Sequence, residues 1–183
     1  YQRQRYFLML FPEITPAEKR KNFRAALKTG KLLRFPGSWS PLVSMEIEKQ
    51  GFDGVYISGS VLSNDLGYPD IGLTTLAQVL IDIERVSKVT RLPLLVDADT
   101  GFEDISQTVK CIMAAGAAGL HLEDQISQKR CGQLEGKQLV STQEMIERVQ
   151  EAVSAKEQAD FMIMARTDAI SVEGLESAFD VRL

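Results

Sequence analysis

Pairs of polar residues end several short apolar runs of this chain, and this pattern restricts the fold more than any other feature of the sequence. The two members of each pair are separated by a single residue. The pairs are Asp97 and Asp99, His121 and Glu123, and Arg166 and Asp168. Alternate residues of a β-strand point to the same side of a sheet. Each run therefore predicts a strand that places two polar side chains on one face near its carboxyl end.

Apolar runs of this kind alternate with amphipathic segments along the chain. We predict strands near residues 32–35, 55–58, 94–97, 119–122 and 161–165, and helices over 41–50, 75–90, 104–115 and 142–156. A last helix is predicted to begin near Val172 and to break at residues 179–183. A first helix is marked by Thr15 as N-cap, Pro16, Glu18 in a capping box and Gly30 as its stop. This order predicts parallel strands joined by right-handed crossovers.

Two folds fit that order, a doubly wound sheet and a β/α barrel. Polar groups at the ends of successive strands favour the barrel, because a doubly wound sheet gathers its ligand groups at one switch point. The predicted fold class is α/β, a (β/α)8 TIM-type barrel of which about the first five β/α units are present. We expect residues 1–183 to form a single domain, with an N-terminal arm and helix in 1–30 and barrel units in 31–183. Because a closed barrel takes about 250 residues, we expect it to be incomplete in this sequence.

Charge, hydropathy and cysteine content narrow the class of protein. The formal net charge is −4 and no cluster of five or more basic residues occurs, so nucleic acid is not an expected partner. Apolar runs stay far below the roughly 20 residues of a membrane helix, so no membrane association is expected. Two cysteines cannot build a disulfide framework, which predicts a reducing, cytoplasmic location. The apolar stretch within residues 1–11 is too short for a signal peptide, and we expect an arm that packs on the body or on a partner subunit.

Asp97, Asp99 and Glu123 are candidate ligands for a divalent cation. Asp97 and Asp99 share one face of a strand and precede Gly101, although this sequence also fits an ordinary turn after a strand. Glu123, at the end of the next strand, favours a cation, because carboxylates brought together repel one another. Magnesium takes oxygen ligands, typically one or two carboxylates with several waters. The sequence predicts Mg2+ here, with Mn2+ as an alternative.

Other positions are candidates for substrate chemistry. Cys131 lies between a basic pair and Gly132, so it is either an activated general acid or an exposed loop cysteine. Arg166 is either the bidentate partner of a substrate carboxylate or part of a barrel ion pair. His121, the only histidine of the sequence, is either a satisfied core residue or a substrate contact. The backbone N–H groups of residues 58–60 either cradle a carboxylate or form a plain turn.

Six segments, taken in order, resemble the isocitrate lyase/phosphoenolpyruvate mutase superfamily, and the 2-methylisocitrate lyases within it. They are YISG at 56–59, LGYPDIG at 66–72, VDADTGF at 96–102, GLHLEDQ at 119–125, KRCG at 129–132 and ARTD at 165–168. The likeness extends from Phe35 to Leu175. The KRCG segment is typical of the lyases, since superfamily members that act as mutases or oxaloacetate decarboxylases generally lack its cysteine.

The resemblance implies a retro-aldol (Claisen-type) cleavage of the C–C bond of 2-methylisocitrate to pyruvate and succinate, as part of propionate metabolism. The implied magnesium ligands are Asp97, Asp99 and Glu123. The implied catalytic residues are Cys131, which would protonate the succinate half, Tyr56 as base or relay for the hydroxyl, Arg166 and Lys129. The implied contacts to a di- or tricarboxylate substrate are Ser58, Gly59, Ser60, Asp70, His121, Gly132 and Arg166. The family's tetrameric habit implies a homo-oligomer.

Three features depart from the family pattern. Gln133 stands where the family continues KRCG with histidine, Glu103 follows Phe102 where the family has several more small residues, and the family's later strands are absent from the sequence. Isocitrate lyase is an alternative, although its motif usually has two lysines where this chain has Lys129 and Arg130. A broad-specificity 2-alkylmalate lyase is another. A catalytically inactive, metabolite-binding relative is the alternative of a different class.

Overall fold

The computed structural model describes residues 13–132 and 134–182, which form one parallel sheet flanked by helices. The strands are β1 (Gly37–Ser38), β2 (Val55–Ile57), β3 (Leu94–Asp97), β4 (Gly119–Glu123) and β5 (Met162–Arg166). All neighbours are parallel, and the order across the sheet follows the order along the chain, β1-β2-β3-β4-β5. In a doubly wound sheet, the order of the strands across the sheet would reverse at a switch point. The sequential order confirms the predicted α/β fold, with five β/α units of a barrel.

Helices pack around this sheet, and those between consecutive strands connect them on one face. They are α1 (Pro16–Leu27), α2 (Pro41–Lys49), α3 (Gly59–Asp65), α4 (Leu76–Ser87), α5 (Ile105–Ala114), α6 (Thr142–Ala155), α7 (Ile170–Glu173) and α8 (Leu175–Arg182). The predicted capping box of α1 is confirmed, with Thr15 and Glu18 satisfying each other's backbone N–H groups. Side-chain caps of this type satisfy the free N–H groups of a first turn and so fix where each helix begins.

The two faces of the sheet differ in chemistry. Val96 of β3 is paired in register with Leu120 of β4, and both are completely buried in the cluster formed with the helices. The next residue of each strand lies on the opposite face, where Asp97 is paired with His121. Glu123 is likewise paired in register with Arg166 of β5. Because alternate residues face opposite sides, the strands bury apolar groups under the helices and present polar groups on the inner face.

Helix α1 is fixed to the end of the barrel where the strands begin. Lys19 Nζ donates to the carbonyl of Ser87 at the end of α4 (2.6 Å), and Arg20 Nη1 donates to that of Ala117, before β4 (2.8 Å). Arg24 donates to the carbonyl groups of residues 159 and 160, just before β5. Carbonyl groups at the carboxyl end of a helix lack intrahelical partners and carry partial negative charge. Basic side chains of α1 therefore donate hydrogen bonds to carbonyl groups that the crossover connections leave without a donor.

Two of the predicted boundaries are wrong, and one helix was not predicted. The first strand is at Gly37–Ser38 rather than at residues 32–35, where Leu32 is 86% exposed and the following Pro36 has no N–H to donate. Helix α3 was not predicted, because Gly59, Ser60 and Asn64 have low helix propensity. The predicted break at residues 179–183 is wrong as far as residue 182, because α8 continues through this segment.

Residues 1–11, which were predicted to form an arm, and Gln133 lie outside the described residues. Within residues 13–132 and 134–182, no helix combines the length and the apolar character that crossing a membrane requires.

Candidate active site

Three buried carboxylates meet at the carboxyl ends of β3 and β4. Asp97 ends β3, Asp99 lies in the loop that follows, and Glu123 ends β4. One oxygen of each lies within 4.8 Å of the other two. The three residues are 8%, 9% and 1% exposed. The candidate cation ligands are thus gathered in one buried place, on the inner face of the sheet.

The backbone around β3 holds two of these carboxylates in place. Asp97 Oδ2 accepts a hydrogen bond from Gly59 N–H (3.1 Å), and its Oδ1 accepts one from Asp99 N–H (3.2 Å). Asp99 has a φ of 48°, in the left-handed region that aspartate tolerates better than most side chains. This tight turn directs both carboxylates toward Glu123 within the cluster.

Glu123 is paired through one carboxylate oxygen only. Its Oε2 lies 3.1 Å from Arg166 Nη1, whereas its Oε1 has no hydrogen-bond partner among the described residues. Burial raises the pKa of Glu123 to about 8, and repulsion from Asp99 and Asp97 adds to this although Arg166 opposes it. Burial, followed by repulsion from Asp97, raises the pKa of Asp99 to about 6. A cation would satisfy the unmet oxygen and offset the repulsion.

The donor set of this cluster fits a hard divalent cation. All three groups are carboxylates, and neither a histidine nor a cysteine belongs to the set. Oxygen ligands of this kind suit Mg2+, Ca2+ and Mn2+, whereas zinc and copper sites usually include nitrogen or sulfur ligands. Mg2+ binds through one or two carboxylates and keeps positions for water and substrate. Asp97, Asp99 and Glu123 are therefore suited to hold such an ion.

Lys129 connects the acidic cluster to the cysteine loop, which comprises residues 129–132. Its Nζ lies 2.6 Å from Asp70 Oδ1 and 2.7 Å from Asp99 Oδ1, and its side chain is 6% exposed. Burial alone would lower the pKa of Lys129, but the carboxylates of Asp99 and Asp70 outweigh burial and raise it. Lys129 is therefore a fixed positive charge between the loop after α3 and the cluster.

Cys131 is held beside Asp70 by its own backbone. Its N–H donates to the Asp70 carbonyl (3.2 Å). Burial alone would raise the pKa of Asp70, but hydrogen bonds from Lys129, Cys131 and Ser60 together with the charge of Lys129 lower it. The next residue, Gly132, accepts a hydrogen bond from Lys137 Nζ through its carbonyl. The cysteine loop is therefore attached to the rest of the site on both sides of the thiol.

Tyr56 and His121 form a stacked pair beside the cluster. The Tyr56 hydroxyl lies 2.5 Å from His121 Nε2, and the ring centroids are 5.6 Å apart. Burial, followed by the negative charge of Asp97, raises the pKa of Tyr56. Burial also lowers the pKa of His121. Both rings are therefore neutral near pH 7, and the hydrogen bond between them can form with either ring as the donor, according to the tautomer of His121.

Helix α3 uses a backbone group that the sequence analysis assigned to the substrate. Gly59 N–H donates to Asp97 Oδ2 and is not free to hold a substrate carboxylate. The Ser58 side chain caps α3 by accepting from Val61 N–H (3.4 Å). The expected cradle therefore does not hold for Gly59. Ser58 and Ser60 do line the central cavity, where they are half-buried.

A cavity of about 360 Å³, called the central cavity here, is lined by residues at or after the carboxyl ends of β2, β3, β4 and β5. Its lining is Tyr56, Ser58, Ser60, Asp70, Asp97, Glu123, Lys129, Cys131, Gly132 and Arg166. The remaining predicted site residues lie behind this lining, where Gly59 contacts Asp97, Asp99 contacts Lys129 and His121 contacts Tyr56. A neighbouring cavity of about 510 Å³ shares Lys129 and is lined mainly by residues 72–77 and 99–108.

Three residues of the site were not singled out from the sequence as site residues. Asp168 binds Arg166 Nη2 through both oxygens at 3.2 Å. Gln125 Nε2 donates to Asp168 Oδ2 (2.8 Å), and Asp124 accepts from the backbone N–H of Asp168 (2.9 Å). All three lie within the GLHLEDQ and ARTD segments, and their place in these segments is the sequence signal that could have identified them as site residues. Their mutual contacts join residues 43 and 44 positions apart and are not visible in the sequence.

Comparison with known proteins finds matches over most of the chain. The family model described as phosphoenolpyruvate phosphomutase matches residues 23–180. The chain is 48% identical over 170 residues to the probable 2-methylisocitrate lyase 2 of Corynebacterium glutamicum, which covers 91% of this chain and 55% of that protein. A solved structure of 2,3-dimethylmalate lyase, a member of the PEP mutase/isocitrate lyase superfamily, matches with a TM-score of 0.82 at 31% identity, over 92% of this chain and 58% of the other.

A further solved structure, phosphonopyruvate hydrolase in complex with oxalate and Mg++, matches with a TM-score of 0.80 at 28% identity, over 90% of this chain and 56% of the other. The chain spans about half the length of the curated relatives it matches. The family match includes all five strands and every residue of the acidic cluster. This chain therefore belongs to the phosphoenolpyruvate mutase/isocitrate lyase superfamily, as the six segments indicated.

Proposed function

We propose that this chain carries the metal site and the acid cysteine of a lyase that cleaves 2-methylisocitrate to pyruvate and succinate. The observation that carries the proposal is one cavity lined by Cys131 together with Asp97, Glu123 and Arg166. Such a cavity combines a thiol, carboxylates for a cation and a guanidinium for a substrate carboxylate. The similarity to a probable 2-methylisocitrate lyase at 48% identity supports the choice of substrate.

Cationic and polar groups would bind the substrate. Arg166 is 32% exposed in its side chain and directs its two terminal nitrogens toward Glu123 and Asp168. Each terminal nitrogen of a guanidinium carries two N–H groups, so the second N–H of each would donate to a substrate carboxylate. Ser58 and Ser60 supply hydroxyl groups to the lining of the same cavity. Asp97, Asp99 and Glu123 would hold Mg2+, with Mn2+ as an alternative. The ion would supply Lewis-acid stabilisation of the charge that develops on the pyruvate half.

The reaction transfers one proton from the substrate hydroxyl to a carbon atom. Tyr56 would accept the hydroxyl proton while passing its own proton to His121 Nε2, to which it is hydrogen-bonded. The oxygen electrons form the carbonyl group of pyruvate, and the electron pair of the broken C–C bond goes to the succinate half. The Cys131 thiol protonates that carbon, and the thiolate later recovers a proton from His121 through solvent. Lys129 provides a fixed positive charge two residues from the thiolate.

A serine in place of Cys131 tests this proposal. Serine is a far weaker acid than cysteine, and general acid catalysis is typically worth about 10²–10⁴-fold. We expect Cys131→Ser in the full protein to fold normally and to lose kcat by that factor, measured as pyruvate release from 2-methylisocitrate. Cys111→Ser is the matched control, because Cys111 lies on the outer helix α5. Its Sγ accepts a hydrogen bond from Gln107 Nε2, and Cys111 does not line the central cavity. A Cys131→Ser variant as fast as the control would remove the acid role.

Substrate comparison separates the alternatives. Isocitrate and 2,3-dimethylmalate undergo the same C–C cleavage, and one solved neighbour of this chain is a 2,3-dimethylmalate lyase. The proposal requires the highest kcat/KM for 2-methylisocitrate. A higher value for either other acid would assign a lyase of different specificity. Absence of cleavage together with metal-dependent binding of these acids would identify a catalytically inactive relative.

The proposal extends to organisation and location. We expect the 183 residues to belong to a single β/α-barrel domain, incomplete in this sequence, within a homotetramer, following the superfamily resemblance. Both cysteines are free thiols, which fits a reducing cytoplasm. Sedimentation of the full protein tests the tetramer, and a monomer at micromolar concentration would contradict it.

A further inference from the structure

Gln125 is a buried amide whose hydrogen bonds all point into the site. It is 1% exposed. Its Oε1 accepts from Arg130 N–H (2.9 Å), and its Nε2 donates both to the Arg130 carbonyl (2.9 Å) and to Asp168 Oδ2 (2.8 Å). One side chain thus binds both the N–H and the carbonyl group of Arg130, the residue before Cys131. It also binds Asp168, which in turn binds the guanidinium of Arg166.

The backbone of Gln125 is itself fixed from outside the sheet. Arg148 of α6, whose side chain is 9% exposed, donates to the Gln125 carbonyl (3.0 Å) and to the Glu123 carbonyl (2.7 Å). These bonds connect Gln125 to the rigid end of β4, which also carries the acidic cluster. The side chain therefore has a stationary base from which to hold the cysteine loop.

Two of the attachments of the cysteine loop differ in the groups that they connect it to. On one side, Cys131 N–H and Lys129 Nζ bind Asp70, which belongs to the loop after α3. On the other side, Gln125 binds Arg130 and also reaches Asp168, which holds the guanidinium of Arg166. The Gln125 side is thus the one that sets the thiol and the guanidinium relative to each other.

We propose that Gln125 is a positioning residue that sets the Cys131 thiol and the Arg166 guanidinium in one geometry for the reaction. The inference rests on the proposed function, because it concerns the acid and the carboxylate-binding group of that reaction. It assigns a specific task to a buried amide that touches neither substrate nor metal. A misplacement of about 1 Å in such a group can cost on the order of 10²-fold in rate.

The test compares Gln125→Met, Gln125→Glu and wild type in the full protein. Methionine keeps the length and removes all three hydrogen bonds, whereas glutamate keeps only the acceptor for Arg130 N–H. We expect kcat to fall at least about tenfold in Gln125→Met, with a smaller loss of substrate affinity, because Gln125 contacts no substrate. Gln125→Glu should also lose activity, since its carboxylate would face that of Asp168. If Gln125→Met fails to fold, Gln125→Asn removes the reach while keeping the amide and is tested in the same way.

A second measurement does not depend on activity. The alkylation rates of Cys131 and Cys111 are measured in the same molecules by peptide mass spectrometry. Release of the cysteine loop should raise the Cys131 rate several-fold relative to Cys111, which lies on α5. Gln107→Met is the matched control, because it removes an amide that bonds Cys111 instead (3.1 Å). It should leave kcat and the Cys131 rate unchanged.

The outcomes separate this inference from the proposed function. A raised Cys131 to Cys111 ratio in Gln125→Met supports positioning of the loop even if the wild type cleaves no 2-methylisocitrate, in which case only the proposed reaction fails. A ratio and a kcat within about twofold of wild type would overturn the inference. An equal rise of both alkylation rates would also overturn it, because a general loosening of the fold affects both thiols.

Discussion

At the scale of single residues, two glycines allow the backbone to lie close against charged side chains of the site. Gly132 lies against Arg166 Nη2 so closely that a Cβ atom at this position would overlap with it. Gly59 similarly leaves space for the Asp97 carboxylate, which would lie 3.2 Å from an added Cβ. Both glycines belong to motifs that are visible in the sequence. Only the structure shows which side-chain groups lie against them.

Gly132→Ala should displace the Arg166 guanidinium. The overlapping atom is the end of a flexible side chain, so we expect the variant to fold with a small change in Tm. The guanidinium would leave its position between Glu123 and Asp168, and kcat/KM should fall by about 10- to 100-fold. Steady-state kinetics and thermal unfolding measure the two effects. Gly37→Ala is the control, because its Cβ would meet Val61 Cγ2 at an ordinary 3.8 Å, and an equal kinetic effect there would contradict the argument.

Helix α1 illustrates what is decided at the scale of elements. Its start was predictable, because Thr15, Pro16 and Glu18 are local signals for a helix start. Its position was not, because Lys19 and its acceptor Ser87 are 68 residues apart. Burial lowers the pKa of Lys19 to about 8, although Glu48 opposes the shift. A basic residue that looks like solvated surface in the sequence is therefore a buried charge, 1% exposed.

Lys19 should make the stability of the fold depend on pH. Its pKa is lower in the folded state than in the unfolded chain, so the unfolded chain binds more protons between about pH 8 and 10.5. The contribution of Lys19 to the free energy of unfolding therefore rises with pH across this window, by on the order of 3 kcal/mol. Urea unfolding of wild type and Lys19→Met at several pH values measures it. The difference between the two curves should change with pH, and a constant difference would contradict the assignment.

The acidic cluster belongs to the scale of the whole molecule, because β3, β4 and their loops must be in place before its three carboxylates meet. The folded chain holds carboxyl groups whose pKa values are raised by burial and by one another. The unfolded chain has no such site. A divalent cation that binds there binds the folded state selectively and stabilises it by mass action.

Mg2+ should therefore raise the Tm of this protein. At a free concentration 100 times Kd the stabilisation is about 2.7 kcal/mol, which corresponds to roughly 5–10 °C for a chain of this size. Thermal unfolding in MgCl2 and in NaCl of equal ionic strength measures the shift. Asp99→Asn should remove most of it, whereas Asp160→Asn, outside the cluster, should keep it. An unchanged Tm at millimolar Mg2+, or an equal shift in both variants, would argue against the site.

The sequence by itself determined the parallel α/β architecture, the polar face of its strands and the identity of the cluster residues. These follow from short-range rules: the period of two along a strand, the caps of a helix and the chemistry of carboxylates. Helix α3 and the shift of β1 escaped these rules, because burial beside other elements outweighed weak local propensity. Only the tertiary structure decided that Gln125 meets Arg130 and Asp168, that Gly59 N–H serves Asp97, and that Lys129 lies between Asp70 and Asp99. Most of these contacts join residues far apart in the chain, so only the packing of the sheet and its loops brings them together.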